Sequence, residues 1–226
     1  MSATNPVLVE VTRGAIVESR HAGAVAIADA TGKLVLALGD VERRIFPRSA
    51  VKALQAILLV ESGAAHAFGL GDTELAVACA SHSGDAQHVE AVRSLLKKAG
   101  LDESDLACGA HWPVSEEAFR DLVRRRARPL PIHNNCSGKH AGMLAACVHL
   151  GLDRRGYERA DHPVQVAIAR IISETCAVAL SRDDAGVDGC SVPTWALPLA
   201  SLAQGFARFG SGALPAATRA EAASRL

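Results

Sequence analysis

The residues 133–144, "HNNCSGKHAGML", bring a thiol, an amine and an imidazole together as Cys136, Lys139 and His140. If a helix begins near Gly138, Cys136 lies just before its first turn, with Lys139 three and His140 four positions on. A helix N-terminus favours anions and lowers the pKa of a nearby thiol. Two chemistries fit: a Cys136–His140 thiol nucleophile, or a metal site completed from elsewhere in the chain. Cys190, in the tight turn "VDGCSVP", is the natural distant partner. Two thiolates and one nitrogen would leave a tetrahedral zinc ion one open position, the pattern of a functional site. If Lys139 is that nitrogen, it must bind without its proton, which costs an ordinary lysine about 4.6 kcal/mol at neutral pH. Such a site should hold zinc less tightly than a Cys2His set and lose it as pH falls. Each Cys also reads, taken singly, as a buried thiol.

A second cluster is "PRSAVKALQ", residues 47–55, where Ser49 and Lys52 stand three apart at a helix start and share a face. A serine hydroxyl attacks only when a base takes its proton. A lysine with its pKa lowered by burial or by a neighbouring cation such as Arg48 can be that base. Serine β-lactamases and penicillin-binding proteins use the same S-x-x-K spacing. The spacing alone is not decisive, because Ser94 and Lys97 in "SLLK" match it on an ordinary surface helix. The plain alternative for Ser49 is an N-cap with Lys52 in solvent.

A third cluster, "CASHSGDAQH" (residues 79–88), offers Ser81, His82 and Ser83 before a glycine. Its hydroxyls and backbone N–H groups could polarise a carbonyl. It could equally be a polar turn that caps the next helix.

The elements that must position these groups follow from periodicity. Residues 8–12 read as a strand, and 23–40 as a hairpin turning at Ala30–Thr31–Gly32–Lys33. Helical patterns cover 49–64, 72–79, 87–99, 115–127, 138–150 and 163–178, with one more after the Gly- and Pro-rich stretch from residue 186. A final helix is expected after Pro215. Its run to Leu226 shows no C-capping residue, which reads as a domain incomplete at its C-terminus.

Composition limits the partners. The chain of 226 residues is 49% hydrophobic, with 24 basic and 24 acidic residues. That suits one globular domain and argues against nucleic acid or an anionic membrane as partner. The run "RRRAR" (124–128) reads as a solvated helix face. The N-terminus lacks a signal-peptide pattern and no long apolar run occurs, which points to the cytoplasm. Six cysteines in a chain of this length do not form a secreted disulfide framework.

Taken together, "RSAVKALQ", "CASHSGDAQH", "HNNCSGKHAGML" and "VDGCSVPTWALPL" resemble the rhizobial-type (class 3, asparaginase II) L-asparaginases, in the family's order and from about Leu8 onward. The resemblance implies hydrolysis of L-asparagine to aspartate and ammonia. It implies an α/β (α+β) fold, a sheet flanked by helices and similar to the serine β-lactamase and penicillin-binding protein fold, over residues 1–226, and a homodimer. Carried over by motif, Ser49 is the nucleophile, Lys52 its base and Ser81 a second catalytic serine. Cys136, Lys139 and Cys190 match zinc ligands, with water completing the shell and the ion orienting substrate. Arg48 would meet the substrate α-carboxylate, Asp188 would face the zinc-bound water or the α-ammonium, and His140 would line the pocket.

One departure stands against activity. The family's pattern continues past this point with a further catalytic lysine and closing strands, and no Lys follows Lys139 here. A chain of this extent is expected to have a destabilised sheet with an exposed edge and weak or no turnover. A remnant that binds zinc or asparagine, and a penicillin-binding-type serine amidohydrolase, are the alternative readings.

Overall fold

The computed structural model describes residues 4–226. Strand β1 (Val7–Arg13) turns at Gly14, whose φ is +61°, into β2 (Ile16–Ala22). β2 is absent from the sequence reading, because "IVESRHA" does not alternate apolar with polar residues. The second hairpin, β3 (Val25–Ala28) and β4 (Leu34–Leu38), turns where expected. There Asp29 Oδ1 accepts from the Thr31 and Lys33 N–H groups at 2.9 and 3.0 Å, and Gly32 takes φ +93°.

A short strand β5 (Arg44–Ile45) leads through Pro47 into a 3-10 turn over Arg48–Val51 and then α1 (Lys52–Glu61). Next come α2 (Ala64–Ala67), α3 (Asp72–Cys79), α4 (Ala86–Lys98), α5 (Glu116–Arg124), α6 (Ser137–His149) and α7 (Pro163–Thr175). The chain continues through β6 (Ala185–Val187), β7 (Pro193–Trp195) and β8 (Leu197–Pro198) into α8 (Leu199–Ser211) and α9 (Ala217–Ser224). The fold is mixed α+β and mostly helical.

The expected single sheet flanked by helices is not what the strands form. Among the described residues they pair as four antiparallel two-stranded ladders, β1–β2, β3–β4, β5–β8 and β6–β7. Val9, Ile16, Ile27 and Val35 remain exposed on the first two, so these hairpins carry apolar side chains that the body does not cover. No described helix is long and apolar enough to cross a membrane.

α6 is the centre of the molecule. Its residues 137–147 are all buried, and α1, α3 and α4 pack around it. A helix apolar on every side must be enclosed in this way. Small residues make the enclosure tight: a Cβ on Gly138 would stand 2.1 Å from the Val77 carbonyl oxygen of α3, and one on Gly142 would stand 3.3 Å from Ala78 and Leu59. The buried Arg219 ties α9 to α1 and α7 through Glu61 at 3.2 Å and Glu174 at 2.7 Å. Arg208 of α8 donates to the Ala30 carbonyl at 3.0 Å, which holds the β3–β4 turn against the helices. α5 has no fully buried residue: Ala118 and Leu122 are half-buried, Val123 is exposed, and Phe119, also exposed, meets the Trp112 ring edge-on at 5.1 Å.

Candidate active site and metal-holding cluster

Four segments meet at one place: the turn before α1, the loop between α3 and α4, the start of α6 and the turn between β6 and β7. The buried crossing of α3 and α6 sets their spacing. At the start of α6, Asn134 is the anchor. Its Oδ1 accepts from the Cys136 N–H at 2.9 Å, and its Nδ2 donates to the Cys108 and Gly109 carbonyls at 2.8 and 3.2 Å. Cys136 is thereby held at the N-cap of α6.

The S-x-x-K pair behaves differently from a simple contact. Lys52 is 1% exposed, and its Nζ donates to the Ala80 carbonyl at 2.8 Å, Ser81 Oγ at 2.8 Å and the Asn135 carbonyl at 3.3 Å. Ser81 in turn donates to Ser49 Oγ at 2.9 Å. Lys52 thus reaches Ser49 through Ser81. Asn135 Nδ2 also donates to Ser81 Oγ, at 3.1 Å. The sequence reading did not single out Asn135; its place within HNNCSGKHAGML was the one available signal. Burial lowers the Lys52 pKa, partly offset by the attraction of the Cys136 thiolate. Ser49 is exposed and lies within the 3-10 turn with no side-chain capping bond, so it is not the N-cap of α1. The look-alike pair is structural: Ser94 donates to Glu74 at 2.6 Å and Lys97 points to solvent.

Arg48 immediately precedes Ser49 and takes φ +47°, a left-handed conformation that costs a non-glycine residue energy. Its Nε donates to Asp188 Oδ1 at 3.1 Å, while the side chain stays 68% exposed. Asp188 is held below the ordinary carboxylate range: burial opposes this, but the Gly189 N–H, Lys139 and Arg48 outweigh it.

Asp188 also belongs to the thiol cluster. The donor atoms of Cys136, Asp188 and Cys190 all lie within 4.8 Å of one another. Lys139 Nζ is 3.2 Å from Cys190 Sγ and 3.9 Å from Asp188 Oδ2. The hydrogen bond with Cys190 lowers the Cys136 thiol to about 6 against the effect of burial, helped by Lys139 and Lys52, and the same bond pushes Cys190 up. Two soft sulfurs, one of them readily ionised, beside an amine and a carboxylate suit a zinc-type ion. Asp188 joins the three ligands read from the sequence as a further possible donor. All six cysteines are free thiols, and five are buried.

His140 is 0% exposed. Its Nδ1 stands 2.5 Å from the Tyr157 hydroxyl and its ring lies beside Cys190, so the Cys136–His140 nucleophile pair does not form. Tyr157 was missed by sequence reasoning, since a lone tyrosine in a loop carries no spacing signal. His82 is buried as well. Its Nε2 pairs with Ser137 Oγ at 2.8 Å and its Nδ1 accepts from the Gly84 N–H at 3.2 Å, which fastens the Ser81 loop to α6.

A serine in hydrogen-bonded series with a buried amine is an arrangement that suits a nucleophilic hydrolase, and the Cys136, Asp188 and Cys190 group beside it could hold a metal ion. The chain matches the L-asparaginase II family over residues 9–226 and belongs to that family of amidohydrolases. A comparison with curated proteins returned no match.

Proposed function

We propose that the protein hydrolyses the side-chain amide of L-asparagine to aspartate and ammonia, with Ser49 as nucleophile and Lys52 as its base acting through Ser81. Family membership supplies the substrate, and the Lys52–Ser81–Ser49 chain at 2.8 and 2.9 Å is the observation that carries the mechanism.

As drawn, three acceptors match the three N–H bonds of a Lys52 ammonium. When Lys52 loses a proton, its lone pair can accept from Ser81. Ser49 Oγ then attacks the amide carbon, its proton passes to Ser81 Oγ, and the Ser81 proton passes to Lys52 Nζ. The reverse relay delivers a proton to the departing nitrogen, the C–N bond breaks, and ammonia leaves an ester on Ser49. Water attacks that ester, gives its proton to Lys52 by the same route, and frees aspartate as Ser49 regains its proton. Backbone N–H groups near Ser49 would steady the oxyanion.

Arg48, exposed and braced by Asp188, is suited to the substrate α-carboxylate. Asp188 supplies the opposite charge for the α-ammonium, and His140 acts on the site from behind Cys190. Cys136, Lys139 and Cys190 would hold zinc, with water or Asp188 as a further donor, and the ion would supply a fixed positive charge that orients substrate. We read residues 1–226 as one asparaginase II-like domain of the β-lactamase type, a reading supported by the S-x-x-K lysine buried at the start of α1. A homodimer, by family resemblance, and a cytoplasmic location complete the proposal.

The test is ammonia and aspartate release from L-asparagine by the purified chain and by Ser49→Ala. Turnover by the first and none by the second is expected. Equal rates would overturn the nucleophile, and acylation by a β-lactam with no ammonia from asparagine would favour a penicillin-binding-type enzyme.

A further inference from the structure

Asn135 is half-buried and stands between two pinned neighbours at the start of α6, Asn134 and Cys136. Its carbonyl accepts from the His82 N–H at 3.2 Å and from Lys52 Nζ at 3.3 Å, which ties its backbone both to the Ser81 loop and to α1. Its side-chain Nδ2 donates to Ser81 Oγ at 3.1 Å. A hydroxyl has one proton to give and two lone pairs to receive on. On Ser81, Lys52 Nζ at 2.8 Å occupies one lone pair and Asn135 Nδ2 the other, which leaves the proton for Ser49 Oγ at 2.9 Å.

The chemistry of that amide nitrogen matters because Ser81 is exposed. A water molecule in the same place would be free to turn, accept the Ser81 proton and draw it off the path between Lys52 and Ser49. An amide –NH2 group donates only, so it has nothing with which to take the proton. It holds Ser81 Oγ in place and leaves the hydroxyl proton two directions, toward Ser49 and toward Lys52, the two that the relay uses.

We infer that Asn135 is a positioning residue that confines the Ser81 proton to the line between Lys52 and Ser49. The inference rests on Ser49 as nucleophile and not on asparagine as substrate.

The test reads Ser49 directly, with an alkyl fluorophosphonate on the full chain. Ser49 Oγ bonds to phosphorus, the P–F bond breaks with its electron pair leaving as fluoride, and the Ser49 proton passes into the relay. The gain in intact mass, absent in Ser49→Ala, gives the labelling rate. Asn135→Ala removes the donor, and Asn135→Asp keeps the shape but puts an acceptor in its place. Both should slow labelling by about 10²-fold, the scale of a lost alignment, with an unchanged circular dichroism spectrum. A side chain that merely filled space would leave Asn135→Asp unslowed. In a Ser81→Ala background, Asn135→Ala should slow labelling by no more than about threefold further, because the group it acts through is gone.

An unslowed Asn135→Asp variant, or a full additional loss in the double variant, overturns the inference; if Asn135→Ala does not fold, Asn135→Asp still decides. An unaltered chain that takes no label at Ser49 overturns the nucleophile and this inference with it. Labelling that depends on Asn135, without ammonia release from asparagine, would sustain this inference and overturn the substrate alone.

Discussion

Ser81 donates a 2.9 Å hydrogen bond to Ser49, and through that contact the exposed hydroxyl is joined to the buried amine of Lys52. The S-x-x-K spacing therefore works here as a three-member relay. Ser81→Ala should lower kcat/KM for asparagine by about 10²–10⁴-fold, the range of a lost general acid–base path. The circular dichroism spectrum should stay unchanged. A rate within threefold of the unaltered chain would show that Lys52 reaches Ser49 without Ser81.

The pH–rate profile should rise toward alkaline pH as Lys52 becomes able to accept a proton. Burial lowers this lysine, so the limb should fall below the ordinary lysine value of 10.5. Lys52→Arg keeps a cation that cannot give up its proton and should abolish turnover. A profile flat through the alkaline range, or an active Lys52→Arg variant, would remove Lys52 from the role of base.

Acid should loosen the fold in two stages. Burial, reinforced by His88 and Lys52, lowers His82 from 6.5 to about 4, so the folded state binds fewer protons than the unfolded one in that window. Its contribution, about 3 kcal/mol for the full shift, is present above pH 6.5 and lost as pH falls toward 4. Glu74 adds a second loss below its ordinary value of 4.5. Burial would raise it, but bonds from Lys98, Ser94 and the Gly71 N–H hold it to about 2. Urea melts across this pH series should show both losses, and His82→Gln should flatten the first. An identical slope in the variant would contradict the assignment.

Gly138→Ala should be severely destabilising, by about 3 kcal/mol or more, because the added methyl meets the Val77 backbone and neither helix can yield without moving the other. The urea midpoint is the readout. A shift equivalent to less than about 1 kcal/mol would mean that α3 and α6 separate readily. Gly142→Ala is the control, since its neighbours at 3.3 Å are side-chain atoms that can give.

Local order was legible in the residues themselves. Helix α3 occupies the expected residues 72–79, the β3–β4 turn falls at its Gly and Asp, and Pro163 opens α7 as a proline at the first turn should. Periodicity and turn chemistry act between neighbours, so they leave a mark in a linear string. β2 left none, and α5 announced an amphipathic face without revealing that none of its residues is fully buried.

At the site, the sequence by itself determined the chemical inventory: a serine with a lysine one turn away, a thiol with a lysine at the head of a helix, and a distant second thiol. Tertiary packing alone decided who touches whom. Ser81 lies 32 positions from Ser49, Cys190 lies 51 from Lys139, and Tyr157 meets His140 across 17. Contacts over such separations are set by how closely α3, α6 and α1 approach one another. A hydrogen bond is made or lost within a few tenths of an ångström, a distance that no spacing rule encodes.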